Sequence, residues 1–458
     1  MRRIALFAAL SLMATPVLAA EPADTAAVLR DRALTDTTAW TVLEDLTTTV
    51  GPRLVGSPGM ARAKDWAVKT LTDMGFTNVK VEEFAKPSWA RGAESASITG
   101  PYPFQLSIIG LGGTVPTPAR GIEAEVVVFR SYAALLAAPV GSLAGKIAVV
   151  TQPMTRTQDG EGYGAAGLAR RTGPSEAAKR GAVAFLMRSV STSDSRLAHT
   201  GLTRYAADAP KIPAAALGVP DAELIERLAA RGPVRIKLNL ASTLDPKGVA
   251  WNISGDIAGS GKPEEVIVIG GHLDSWDPGT GAIDDASGIA ITTAAAKLIG
   301  DLPKHPRRTI RVVMWGSEET GGSSEAYLAA HKDEVPNLVM ASESDLGADA
   351  IYSLMLPKDA LKDPALAELA TVLAPLKIYV SRDPAPFGGS DVEGLQEAGV
   401  PVFTLRQSAL RYFDLHHSGD DTIDKVDPAQ LNQNVAAWAA LLYMLAQSEA
   451  DFRSKPAP

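Results

Sequence analysis

The sequence contains no cysteine. Disulfides are excluded, and any metal site must be built from His, Asp and Glu. The absence carries no information about compartment, because a chain of 458 residues can build cores that need no covalent staple. Basic side chains are in deficit, 44 Lys and Arg against 52 Asp and Glu, for a formal net charge of −8. Nucleic acid and anionic membranes both call for basic patches, so neither is expected as a partner. Beyond residue 20 no run is long and apolar enough to span about 30 Å of hydrocarbon. Short repeats and low-complexity blocks are also absent.

What is present describes a soluble globular protein of two or three domains, 46% hydrophobic and 21% charged. Residues 1–20 have their own grammar: Arg2 and Arg3 precede an apolar run over 4–13, and Pro16 breaks it. Val17-Leu18-Ala19 then resembles a small-residue cleavage site. This reads as a signal peptide cut after Ala19 or Ala20, giving a secreted or periplasmic protein. Cleavage removes two arginines and leaves 42 basic against 52 acidic side chains, a net charge of −10.

Periodicity divides the mature chain into three stretches. Residues 21–119 begin with helical segments at 39–49 and 61–74, parted by a turn-rich stretch at 51–59, and then alternate as a strand over 79–84. Residues 120–247 hold short β-like runs at 123–129, 146–150, 183–188 and 234–240, with a short helix at 174–180. Their Pro and Gly punctuation suits a separately packed lid or insert. From 248 to 458 apolar strands at 266–269, 310–315, 338–341, 378–380 and 402–405 alternate with helices at 286–298, 323–331, 364–376, 392–398 and 428–447. That pattern predicts an α/β fold with a mostly parallel central sheet flanked by helices. Ligands of such sheets bind beyond the carboxyl ends of the strands.

Four of those ends carry acids or histidine. They are Gly270-Gly271-His272-Leu273-Asp274 with the following Asp284-Asp285, Ser317-Glu318-Glu319, Ser342-Glu343-Ser344-Asp345, and the loop His416-His417-Ser418-Gly419-Asp420-Asp421-Thr422. Five nitrogen and oxygen ligands can hold two zinc ions if one carboxylate is shared. A general base must stand beside them without being a ligand. Neighbours on an irregular turn point apart, so Glu318-Glu319 can divide those duties.

In that order the series His-x-Asp, Asp-Asp, Glu-Glu, Asp and His-x-x-x-Asp-Thr resembles the family of co-catalytic zinc aminopeptidases and carboxypeptidases. Gly51-Pro52-Arg53-Leu54, Trp315-Gly316-Ser317-Glu318-Glu319 and Tyr412-Phe413-Asp414-Leu415-His416-His417 strengthen the likeness. It is greatest to a carboxypeptidase branch and covers nearly the whole mature chain. Each motif alone is weak, but the ordered set is specific. The resemblance implies a zinc-exopeptidase fold with a catalytic domain at 21–119 and 248–458 and a protease-associated-type β-rich insert at 120–247. It implies two zinc ions per chain, one on His272 and Asp345, the other on Glu319 and His417, with Asp284 bridging. Glu318 becomes the general base that takes the proton of the attacking water and passes it to the leaving amine. Asp274 becomes the acid that accepts the other ring N–H of His272. A cis Asp284-Asp285 bond and a homodimer are further family expectations. The ligand stands four residues before an Asp-Thr pair, which selects His417. His416 then occupies the position where many relatives carry a tyrosine that stabilises the oxyanion.

Other residues have plainer readings. Glu343 could replace Asp345, while Asp420, Asp421 and Asp424 read as surface or supporting acids. His199, His305 and His331 read as ordinary surface residues. Gly388-Gly389-Ser390-Asp391 reads as a helix N-cap or a border of the substrate pocket. Trp276 and Phe387 either line the pocket or pack in the core. The expected function is hydrolysis of dipeptides or short peptides with free termini, with Arg406 and Arg411 as candidate partners for the substrate carboxylate. The alternatives are an aminopeptidase acting on longer peptides, a one-zinc glutaminyl-cyclase-like transferase, and a receptor-like homologue without activity. A receptor of that kind usually loses ligands or the base, and none is missing here.

Overall fold

A computed structural model describes residues 22–382 and 386–453. The expected signal peptide lies outside these residues.

Five strands form the central sheet: β1 (Thr77–Ala85), β2 (Val249–Ile257), β3 (Lys262–His272), β4 (Arg308–Trp315) and β5 (Leu338–Glu343), in the order β1-β2-β4-β3-β5. β3 runs parallel to β4 and β5, whereas β2 is antiparallel to both β4 and β1. The sheet is therefore mixed, not mostly parallel as expected. The reason lies in which strands an apolar run reveals. β4 is buried at every position and stands out, while β1 is a half-exposed edge strand. β2 mixes Asn252, Ser254 and Asp256 with apolar residues, and their polar atoms are consumed in packing. Asp256 pairs with Arg311 of β4 at 2.8 Å, and Asn252 anchors the turn that follows β4.

The last two expected strands also lie elsewhere. Tyr379–Val380 and Thr404–Gln407 flank Ile351–Met355 in a separate three-stranded sheet. Only Val402 reaches the central sheet, through one parallel bridge to Ala341. The helix expected over 364–376 is broken into Pro364–Leu366, Leu369–Leu373 and Ala374–Leu376. Pro375 sits at the last break, where it has no N–H to continue a helical ladder.

One face of the central sheet is covered by Ser287–Gly300 and Pro428–Gln447, both almost wholly buried, together with Pro22–Ala33 and Thr38–Asp45. The other face packs Val266, Val268, Val313 and Trp315 against Tyr327, Val392 and Leu395. A second sheet of eight strands lies between β1 and β2 in the chain. It begins at Ser88–Gly100, ends at Arg235–Asp245 and encloses its own core of Ile98, Val149, Leu186, Ile225 and Leu238. Its helix Gly162–Lys179 starts well before the short helix expected at 174–180.

Trp438, fully buried, packs against Phe403 with ring centroids 5.3 Å apart. Trp438→Ala should lower unfolding free energy by about 3–5 kcal/mol, since the transfer and cavity costs add. A denaturation midpoint unchanged from wild type would contradict this packing.

Candidate metal centre

Parallel register brings the acidic strand ends together. His272 is paired with Trp315 across β3 and β4, and Gly270 with Glu343 across β3 and β5. Each chain leaves the sheet at the same edge, so His272, the Glu318-Glu319 turn and Asp345 converge. The turn after β4 is fixed from the antiparallel side. Gly316 donates its N–H to Asn252 at 3.1 Å, and a Cβ on Gly316 would fall 1.9 Å from the Trp251 carbonyl. Only glycine fits there.

Asp284 occupies the centre. One carboxylate oxygen lies 3.0 Å from His272 Nε2, and the other lies 3.2 Å from His417 Nε2. On one side Asp345 Oδ1 stands 3.6 Å from His272 Nε2; on the other Glu319 Oε2 stands 2.9 Å from His417 Nε2. The Asp284-Asp285 peptide is cis, as expected. Both histidines turn their second nitrogen to a backbone carbonyl, His272 Nδ1 to Asp274 at 2.9 Å and His417 Nδ1 to Thr200 at 3.3 Å. With the proton on Nδ1, each Nε2 is left to face the carboxylates; at His417 the Arg170 guanidinium also stands 3.4 Å from Nδ1. The Asp274 carboxylate is 3.6 Å from His272 Nδ1 and accepts the Glu318 backbone N–H at 3.0 Å. It thus anchors the turn that carries Glu318 as well as standing beside His272.

Glu343, the alternative to Asp345, turns away and accepts the Asp391 N–H at 2.9 Å. His416 stacks on His417 with ring centroids 3.4 Å apart and holds Nε2 3.7 Å from Asp284. Asp421 is buried and accepts the Ile283 N–H at 2.6 Å, whereas Asp424 is exposed and pairs with Lys425. Arg53, wholly buried, donates to the carbonyls of Leu273 at 2.6 Å, Thr280 at 2.6 Å and Gly281 at 2.9 Å. It clamps the loop that leads from His272 to Asp284.

So much buried acid has an electrostatic consequence. Burial pushes the Glu318, Glu343 and Asp285 carboxyls well up, and neighbouring carboxylates add to the rise. Burial, with Asp284 nearby, pushes Glu319 up to about 7 and Asp421 to about 8. Burial lowers Arg53 to about 10, against the opposing pull of Asp421, Asp274, Asp285 and Asp284. Asp284 Oδ2 and Glu319 Oε1 are buried without a hydrogen-bond partner. Among the described residues, donor atoms of three overlapping groups lie within 4.8 Å of one another: Asp284, His416 and His417; His272, Glu318 and Asp345; His272, Asp284 and Glu319. Orphaned carboxylate oxygens and imidazole nitrogens in this arrangement fit divalent zinc, which takes both ligand types at roughly 2.0–2.2 Å.

A cavity of about 340 Å³ opens beside these side chains. It is lined by Asp284, Glu318, Glu319, Asp345, His416 and His417, and also by Tyr412 and Ser390. Leu346 and Phe413 add to it, and the second sheet unit contributes Tyr163, Arg170, Arg171, Leu202 and Arg204. Sequence reasoning passed over these, because no motif marks a residue brought in from a remote sheet. Tyr412, quoted in a motif without a role of its own, holds its hydroxyl 3.5 Å from Asp345 Oδ1. Arg411 is tied to Asp349 instead, and Arg406 lines an adjoining cavity with Phe387 and Asp345. Trp276 is buried, 5.8 Å from the His417 ring and edge-on to Trp89. His199 and His331 are not surface residues. His331 is buried between Glu82 and Glu334, and His199, lowered to about 4 by burial, bonds the His416 carbonyl.

An acidic and histidine-rich centre at the carboxyl edge of a mixed α/β sheet is the site of a metallopeptidase, and the comparisons agree. Residues 252–442 match the profile of Peptidase family M28, and the chain belongs to that family, a zinc metallopeptidase acting as an exopeptidase. The carboxypeptidase branch anticipated from the motifs is carboxypeptidase Q. The Bos taurus carboxypeptidase Q is 38% identical over 406 residues, covering 88% of this chain and 84% of that protein. The Homo sapiens carboxypeptidase Q is 37% identical over the same shares. A crystal structure of a peptidase M28 precursor from Shewanella amazonensis superposes with a TM-score of 0.93 at 40% identity, covering 95% of this chain and 99% of that one. BSAP, a zinc aminopeptidase from Bacillus subtilis, shares the fold at 17% identity and a TM-score of 0.62, over 91% of this chain and 98% of its own.

Because Asp284 faces both histidine groups, Asp284→Ala should lose more metal on mild dialysis than Asp345→Ala does. Metal content per chain decides it. Retention of wild-type metal by Asp284→Ala would contradict a shared ligand.

Proposed function

We propose that this chain is an exported, two-zinc exopeptidase that hydrolyses dipeptides or short peptides with free termini. The observation that carries the metal count is Asp284, whose two oxygens address His272 and His417 separately. His272 and Asp345 form one site, Glu319 and His417 the other. Zinc held there would polarise the scissile carbonyl and acidify the attacking water. Glu318 takes the proton of that water and delivers it to the leaving amine. Its backbone N–H is held by Asp274, and its carboxylate lines the cavity, where a base can take a proton. His416 and Tyr412, both reaching the cavity, are the neutral groups available to the oxyanion.

The short-substrate reading rests on the cavity. Its volume of about 340 Å³ lies near the lower end of ordinary small-molecule pockets. The second sheet unit closes one side; we assign it as the protease-associated-type insert expected at 120–247, with its first strand already at Ser88–Gly100. A free substrate carboxylate buried without a donor would cost several kcal/mol, so a dipeptidase must supply cations there. Arg171 and Arg204 line the cavity, and among the described residues neither has a carboxylate partner within ion-pair distance.

Glu318→Ala should keep its zinc and its fold, yet lower kcat by roughly 10²–10⁴-fold. Near-wild-type turnover would remove Glu318 as the base. Amidating the carboxyl end of a good dipeptide should lower kcat/KM by at least about 10-fold, the equivalent of one modest charged contact. Paired hydrolysis at fixed zinc and pH measures it. Equal rates, with good cleavage of long peptides from their amino ends, would make the enzyme an aminopeptidase instead.

A further inference from the structure

His417 has a φ of +61°, a left-handed conformation that a residue with a Cβ adopts only when its surroundings impose it. The surroundings that impose it come from the second sheet unit. The Thr200 N–H donates to the His417 carbonyl at 3.0 Å, and the Thr200 carbonyl accepts from His417 Nδ1 at 3.3 Å. One residue earlier, the His199 Nδ1–H donates to the His416 carbonyl at 2.6 Å. His199 is fixed in turn, since its N–H donates to Ser189 Oγ at 2.8 Å, and Ser189 Oγ donates to the Leu217 carbonyl at 2.7 Å.

The approach to the histidine pair is fastened by the same unit. The Ser191 hydroxyl donates to the Phe413 carbonyl at 2.9 Å, and Thr192 Oγ1 donates to Asp414 Oδ1 at 2.8 Å. Arg156 grips Asp414 with both terminal nitrogens, at 2.7 and 2.8 Å, and donates to the Thr192 carbonyl at 2.9 Å. The loop 410–417 is thus bonded along its length to a unit that contributes no ligand of its own.

We infer that residues 199–200 form a clip that sets the rings of His416 and His417, with His199 as its positioning residue. The second unit is then part of the zinc centre and more than a wall of the cavity. The inference rests on the reading of His417 as a zinc ligand. With the carbonyls of His416 and His417 both held, the His417 ring keeps little beyond its own side-chain torsions, and at its Nδ1 stand the Thr200 carbonyl at 3.3 Å and the Arg170 guanidinium at 3.4 Å. A ligand aimed in advance binds its metal more tightly, and loss of such supporting bonds typically weakens affinity by about 10–100-fold.

Two substitutions at one position separate positioning from packing. His199→Leu removes the donor, while His199→Asn keeps an N–H near the place of Nδ1. The readouts are zinc affinity by chelator competition on the full chain, thermal midpoint, and the separate kcat and KM for a dipeptide. His199→Leu should fold, weaken one of two zincs by about 10–100-fold, and lower kcat with little change in KM. His199→Asn should restore most of the affinity. Wild-type zinc affinity in folded His199→Leu would overturn the clip, as would equal weakening in both variants. If His199→Leu does not fold, the half-exposed Arg156→Ala tests the same loop from outside and should also weaken one zinc, and unchanged affinity there would overturn the inference. His417→Ala separates the clip from the reading beneath it. Loss of one zinc in His417→Ala with both retained in His199→Leu sinks the clip alone, whereas two zincs retained in His417→Ala sink the ligand reading itself.

Discussion

Carboxylates repel one another, and burial makes the repulsion worse. In this chain Asp274, Asp284, Asp285, Glu319 and Asp421 are each less than a tenth exposed, and they surround the rings of His272, His416 and His417. Protein alone does not balance them: several are driven toward their neutral form, and Asp284 and Glu319 each retain an oxygen without a donor. Arg53 is the buried guanidinium beneath the cluster, yet it spends its donors on backbone carbonyls and meets no carboxylate directly. A doubly charged ion between the carboxylates removes the conflict at a stroke. The strand ends, turns and loops around Asp284 bring those groups within reach of one another.

Two parts of the fold divide that task. The parallel strands β3, β4 and β5 end at one edge and deliver His272, Glu318, Glu319 and Asp345 with the precision of sheet register. The antiparallel neighbour β2 fixes the turn through Asn252, at a point where the backbone approaches too closely for any side chain on Gly316. The loop 410–417 has no such scaffold within the central sheet, and the second unit supplies it. The same unit lines the cavity with Arg171 and Arg204, so the bonds to the loop 410–417 and one cavity wall come from one source.

His272, Glu318, Glu319 and Asp345 were legible because each follows an apolar strand of the central sheet, whereas Asp284 and His417 stand on segments beyond it. The family spacing to Asp421-Thr422 selects His417 over His416, and the two rings stand 3.2 and 3.7 Å from Asp284 Oδ2. Strand direction was not legible. Apolar runs report burial on both faces and say nothing of orientation, and β2 hid because its polar residues are satisfied inside the sheet. His199 was misjudged for the same reason: an isolated histidine in a polar stretch looks exposed until the partner carbonyl, more than 200 residues away, is in view. Tyr163, Arg170 and Arg204 reach the cavity only through tertiary packing, which leaves no local pattern to read.

In the proposed function Asp284 is shared by two metal sites. Anomalous diffraction at the zinc edge, from crystals of the zinc-loaded chain, tests it directly. The account predicts two peaks roughly 3.5–4 Å apart, each touching a different oxygen of Asp284, one beside His272 and Asp345 and the other beside Glu319 and His417. A single peak, or two peaks of which one makes no contact with Asp284, would contradict it.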